Sequence, residues 1–226
     1  MAKSPKPRKT RVSPAEQARV EEIFHRFLTL NDDPRTELNY ASPYELVTAV
    51  ALSAQATDVS VNKATARLFQ VADTPRKMLA LGEDGLIPYI ASIGLYRTKA
   101  KNLIATARIL MEQHGGEVPL EREALMALPG VGRKTASVVL NELRIEPVIA
   151  VDTHVLRVSH RLKLSAGKTP DQVEADLMAL VPEPYLTRAH HWLILHGRYT
   201  CLARRPKCED CPIGDLCPSK ILFVGG

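Results

Sequence analysis

With 226 residues, 45% of them hydrophobic, the chain can bury one large core or two small ones, and no apolar run approaches the ~20 residues that cross a bilayer. The net charge of +5 sits at one end: residues 1–11 hold Lys3, Lys6, Arg8, Lys9 and Arg11 and no acid. With those five set aside from the 30 lysines and arginines, 25 remain against 25 acidic residues, which excludes a body-wide positive field and leaves any grip on nucleic acid to local patches.

The basic start has no apolar segment after it, so it is not a secretory signal, and an intracellular protein without a membrane partner is expected. Residues 1–12 read as a disordered basic tail, either a weak salt-sensitive attraction for phosphate or a solubilising extension. From there the sequence reads all-α. Ser13-Pro14, Ser42-Pro43, Thr74-Pro75 and Thr169-Pro170 each place a capping hydroxyl before a proline at the first helical position. Three of these add a capping-box partner, Glu16, Glu45 and Gln172.

After Ser13, Val20, Ile23, Phe24, Phe27 and Leu28 repeat at helical spacing, and Leu46–Leu52 is apolar on nearly every face, as a buried central helix would be. Further helices are expected near 58–69, 84–92, 97–113, 121–128, 133–144, 152–162, 170–181 and 185–199, with Gly82, Gly94 and Gly115 as terminators or turns. Val148–Val151 is the best strand candidate, but it is short and isolated and suits an extended connection better.

Three motifs carry chemistry. In Leu128-Pro-Gly-Val-Gly-Arg-Lys134, Gly130 and Gly132 occupy a tight turn between two helices, where missing Cβ atoms let backbone N–H groups approach a ligand. Arg133 and the following helix N-terminus add positive charge, completing a cradle for phosphate. Lys134, next in line, is either a phosphate contact or a nucleophile that attacks a sugar C1′ to form a Schiff base. The second role needs a partly neutral amine, favoured by burial or by a neighbouring cation such as Arg133. Asp152 in Ala150-Val-Asp-Thr-His154 is either a helix N-cap or a carboxylate that stabilises an oxocarbenium-like transition state. All four cysteines, Cys201, Cys208, Cys211 and Cys217, lie within 17 residues. In an intracellular chain this is a metal site, and the spacing suits zinc or an iron–sulfur cluster equally. Arg204, Arg205 and Lys207 inside that loop form a candidate second phosphate grip, or a solvated basic surface.

Together the hairpin Leu128–Lys134, Val151-Asp-Thr-His154, the run from His190 to Cys201, the cysteine spacing and Leu52-Ser-Ala-Gln-Ala-Thr-Asp58 resemble the endonuclease III family. The resemblance implies an all-α, two-domain helix–hairpin–helix DNA glycosylase fold: a six-helix domain over 36–147, and a discontinuous iron–sulfur cluster domain from 13–35 and 148–226. It implies a 4Fe–4S cluster, Lys134 as nucleophile and Asp152 as its essential carboxylate. The implied protein is a bacterial cytoplasmic, nucleoid-associated monomer acting on double-stranded DNA with damaged bases or abasic sites. Oxidised or ring-saturated pyrimidines are the implied lesions, with strand nicking by β-elimination. A pyrimidine-dimer glycosylase/lyase and a non-catalytic metal-containing DNA-binding protein are the alternatives. A lysine on a hairpin helix cannot reach C1′ of a stacked nucleotide, so the target must leave the duplex and the gap must be filled. Gln55, just past the apolar run, and Leu95, after Gly94, are the candidate fillers, and the resemblance supports both. The plainer readings are a capping glutamine and a core leucine.

Overall fold

A computed structural model describes residues 13–224; the basic tail over 1–12 lies outside the described residues. Ten α-helices follow in order: α1 Pro14–Leu30, α2 Pro43–Ser53, α3 Asp58–Leu68, α4 Pro75–Ile90, α5 Tyr96–Gln113, α6 Arg122–Met126, α7 Arg133–Glu142, α8 Thr153–Arg161, α9 Pro170–Leu180 and α10 Leu186–Tyr199. Among the described residues there is no strand, and Val148–Val151 belongs to neither helix nor strand.

The caps form where the sequence places them. The hydroxyls of Ser13, Ser42, Thr74 and Thr169 accept from the N–H groups of Glu16, Glu45, Lys77 and Gln172, and Thr57 does the same for α3 through Ser60. The start expected at Pro75 and the helix expected near 84–92 are both present: Gly82, at φ 68° and ψ 175°, separates them, so α4 is two helical stretches joined at a kink. The hairpin's first helix is shorter than expected and stops at Met126.

The chain divides into two units, Thr36–Ile145 and the stretches that flank it, ending at Arg35 and beginning again at Glu146. The first contains α2–α7. Its core is centred on α2, where Leu46, Val47, Ala49 and Leu52 are fully buried against Leu68, Met78, Leu86, Ile90 and Leu110. Glu142, buried at the end of α7, fastens the start of this unit by accepting from the Thr36 N–H (3.1 Å) and the Tyr40 hydroxyl (2.7 Å).

The second unit packs α1 with α8, α9 and α10. Aromatics make up only 5% of the chain, yet Phe24, Phe27, Tyr185 and the single tryptophan, Trp192, meet here with ring centroids 6.0–6.3 Å apart. Trp192 donates its Nε1–H to the Asn31 carbonyl at 2.8 Å, so the end of α1 is tied to α10. Truncating one such ring to alanine costs about 3–5 kcal/mol, which makes α1 integral to this unit despite its distance in sequence.

Candidate nucleic-acid interface and metal centre

The hairpin is α6, the turn Leu128–Gly132 and α7. Leu128 and Val131 are buried and anchor the turn to the core. Gly130 has φ +80°, and a Cβ there would lie 2.8 Å from the Asn102 side-chain nitrogen on α5, so both conformation and space demand glycine. Gly132 is different. It caps α7, and a Cβ there would meet no protein atom. Its bareness keeps open the space in front of the helix, where a phosphate would sit. The backbone N–H groups of Gly130, Gly132 and Lys134 donate to nothing among the described residues, which leaves donors for an incoming anion. Lys134 stands in the first turn of α7 and is exposed, so the burial expected of a nucleophilic lysine is not met. Arg133 beside it is exposed as well.

Asp152 is the N-cap of α8. Its Oδ1 accepts from both His154 and Val155 N–H groups at 2.8 Å. The capping role is therefore present, and it does not use up the carboxylate: Oδ2 takes no hydrogen bond from the described residues. Capping fixes the group's orientation and leaves one oxygen for other work. Lys134 belongs to the Thr36–Ile145 unit and Asp152 to the other, so the two candidates come from different units.

Gln55 and Leu95 share an unusual backbone. Both are exposed and both are left-handed, at φ 58° and 59°, a conformation that costs a residue with a side chain about 1–2 kcal/mol. Leu95 is 63% exposed as the N-cap of α5, which overturns the reading of it as a core leucine. Gln55 follows the C-cap of α2 and caps nothing with its side chain.

The cysteine loop begins where α10 ends. All four cysteines are free and half-buried, and all line one pocket, part of it open to solvent. Burial, reinforced by the neighbouring thiols, pushes the Cys208 and Cys211 thiols up. No three His, Cys, Asp or Glu groups among the described residues are gathered as a single ion requires. Four cysteines lining one pocket are a donor set that fits an iron–sulfur cluster.

Arginines from elsewhere hold the loop. Arg161 on α8 reaches the Cys201 Sγ (3.3 Å) and the carbonyls of Leu202 (2.7 Å) and Ala203 (3.1 Å). Arg157 donates to the Cys201 carbonyl at 3.0 Å. Arg26 on α1 binds both Asp215 oxygens (2.6 and 2.9 Å) and the Pro212 carbonyl, and it holds the Asp215 carboxyl below the usual range. His196 lies 3.8 Å from the Cys211 Sγ, and burial lowers its pKa to about 4, so it is a neutral neighbour of the pocket. The sequence motifs do not reveal these supports; arginines at helix positions i and i+4 on α8 are the one available signal. Arg204, Arg205 and Lys207 are exposed on the same loop.

These two features, a hairpin with free amides and a cysteine pocket, are those of a helix–hairpin–helix DNA-binding protein with a metal centre. Residues 48–183 match the HhH-GPD superfamily of base excision DNA repair proteins, and residues 201–217 match the iron–sulfur binding domain of endonuclease III. The chain is 59% identical to endonuclease III of Escherichia coli (strain K12) over 88% of its length and 94% of the relative's, and 57% identical to that of Haemophilus influenzae over the same shares. Its fold matches a trapped endonuclease III–DNA covalent intermediate, an estranged-adenine complex, with TM-score 0.82 and 42% identity over 91% of this chain and 97% of the other. A non-covalent endonuclease III–DNA complex matches with TM-score 0.83 at the same identity and coverage.

The chain thus belongs to the endonuclease III family: it is a DNA glycosylase and abasic-site lyase of base excision repair that carries a 4Fe–4S cluster. DNA is its partner, and the non-catalytic alternative is set aside.

Proposed function

We propose that the chain removes oxidised or ring-saturated pyrimidines from double-stranded DNA, with Lys134 as nucleophile and Asp152 as its carboxylate partner. The observation that carries this is the placement of Lys134: its own backbone N–H and that of Gly132 before it donate to nothing among the described residues, so the motif that grips the backbone also presents the amine. The covalent intermediate trapped in a relative of the same fold supports a nucleophile of this kind.

The Lys134 nitrogen bonds to C1′ as the glycosidic bond breaks, and the base leaves with a proton. The sugar ring opens to an iminium. Loss of a C2′ proton then expels the 3′-phosphate by β-elimination, and water releases the lysine. Asp152, held by its cap bonds, offers its second oxygen to the positive charge developing at the sugar and to proton transfer. Cys201, Cys208, Cys211 and Cys217 would hold the cluster, which pins the loop and presents Arg204, Arg205 and Lys207 to phosphate.

Thr36–Ile145 is then the DNA-gripping six-helix domain and the remainder the cluster domain, with Lys134 on the first and Asp152 on the second. The protein acts as a monomer in the bacterial cytoplasm, on the nucleoid. Among the described residues no helix is long and apolar enough to cross a membrane.

Borohydride reduction on abasic DNA tests the nucleophile. The native chain should give a covalent protein–DNA adduct, and Lys134→Gln should give none and lose strand nicking while keeping much of its DNA affinity, because the hairpin amides remain. Wild-type trapping in that variant would remove Lys134 from the mechanism. A panel of duplexes, with pyrimidine dimers among the lesions, tests the substrate class.

A further inference from the structure

We infer that Lys99 is a positioning residue that locks Gln55 and Leu95 into one base-extruding device, with a single face of α5 setting its register against the hairpin. The inference rests on the candidate role of Gln55 and Leu95 as gap fillers. Leu95, Lys99, Asn102 and Thr106 fall at i, i+4, i+7 and i+11, one stripe of one helix. Leu95 is its exposed left-handed tip.

One turn further, the buried Lys99 donates its Nζ to the carbonyls of Leu52 (2.8 Å) and Ala54 (2.7 Å). Those are the end of α2 and the residue just before Gln55. Another turn along, Asn102 packs against Gly130, and Thr106 donates its hydroxyl to the Pro129 carbonyl at 3.1 Å. The stripe therefore carries Leu95 and touches both the backbone beside Gln55 and the hairpin turn.

The chemistry argues against a purely structural lysine. A helix end leaves carbonyls without partners, and an ordinary capping lysine serves its own helix from an exposed position. Lys99 is buried and reaches another helix. Burying an ammonium costs free energy that a methionine of similar shape would not. Two short charge-assisted bonds offset that cost and give direction in return. Their target is the peptide next to a strained left-handed glutamine, whose conformation needs outside support.

The test compares Lys99→Met, Lys99→Arg and Gln55→Ala on two substrates: a duplex with a ring-saturated pyrimidine opposite a normal base, and a single-stranded abasic site, where no base is extruded and no partner is orphaned. Lys99→Met should lose roughly tenfold or more in kcat on the duplex, and no more than about twofold on the single strand. Its 2-aminopurine signal, read opposite the lesion, should fall in parallel. Lys99→Arg keeps the charge but not the geometry and should lose activity selectively in the same way. That arm carries the test if Lys99→Met fails to fold.

In combination with Gln55→Ala, Lys99→Met should add less than its own single loss, because Lys99 acts in part through the placement of Gln55. Equal losses on both substrates for the Lys99 variants, wild-type duplex activity, or fully multiplicative losses in the double variant would overturn the inference. Failure of the underlying reading is distinct: Gln55→Ala would then itself lose equally on both substrates.

Discussion

At the α6–α7 hairpin the working parts come from one short stretch: the turn, its glycines and the first residues of α7, with α5 bracing them from below. At the cysteine loop the chemistry is equally local, but the clamps are not. Arg26 reaches Asp215 across 189 positions, and Arg161 and Arg157 reach Cys201 across 40 and 44. The difference follows from what each region presents. Backbone amides come with the turn, so a hairpin is pre-organised once its glycines are in place. A loop of four thiols has no internal reason to hold one shape, and charged side chains from neighbouring helices must fix it. One region is set by conformation and the other by clamping.

Four variants probe that contrast. The largest effect is expected at Asp152, where a cap built by conformation and a chemical role meet in one side chain. Asparagine caps as well as aspartate does, so Asp152→Asn should leave thermal stability nearly unchanged while slowing base release by about 10²–10⁴-fold. A matching loss of melting temperature and rate would mean that only the cap mattered.

Next comes Cys208→Ser, which should bleach the brown colour of the purified protein. Hydrogen exchange should open the Glu146–Gly226 stretch while amides of Thr36–Ile145 keep their protection. Loosening of α6 and α7 to the same degree would show that the hairpin depends on the cluster.

A smaller effect is expected from Gly130→Ala. The positive φ and the close approach of Asn102 together should cost about 1–3 kcal/mol, read by denaturant unfolding, and duplex binding should weaken with it. Unchanged stability would deny that the turn is conformationally set.

The smallest effect concerns salt. Replacing Arg204, Arg205 and Lys207 together should make the log–log slope of duplex affinity shallower by about 0.9 for each phosphate that is no longer neutralised. A slope equal to the parent's would leave the loop's cations as solvated surface.

The sequence alone determined the helical punctuation, because a hydroxyl before a proline caps a helix through atoms three residues apart. It also determined the motifs, since turn glycines and clustered thiols carry their chemistry within a few positions, and the buried α2, since a helix apolar on nearly every face has nowhere else to go. The tertiary structure alone decided that Asp152 caps α8 through one carboxylate oxygen and that Leu95 is exposed, because exposure and the sharing of carboxylate oxygens depend on what packs nearby. It decided that α1 belongs with the C-terminal helices, through Trp192, Phe24 and Arg26. It placed Lys99 on the carbonyls of Leu52 and Ala54, 47 and 45 positions away. A side chain's long-range partner is set by how helices pack, and no local pattern in the sequence records it.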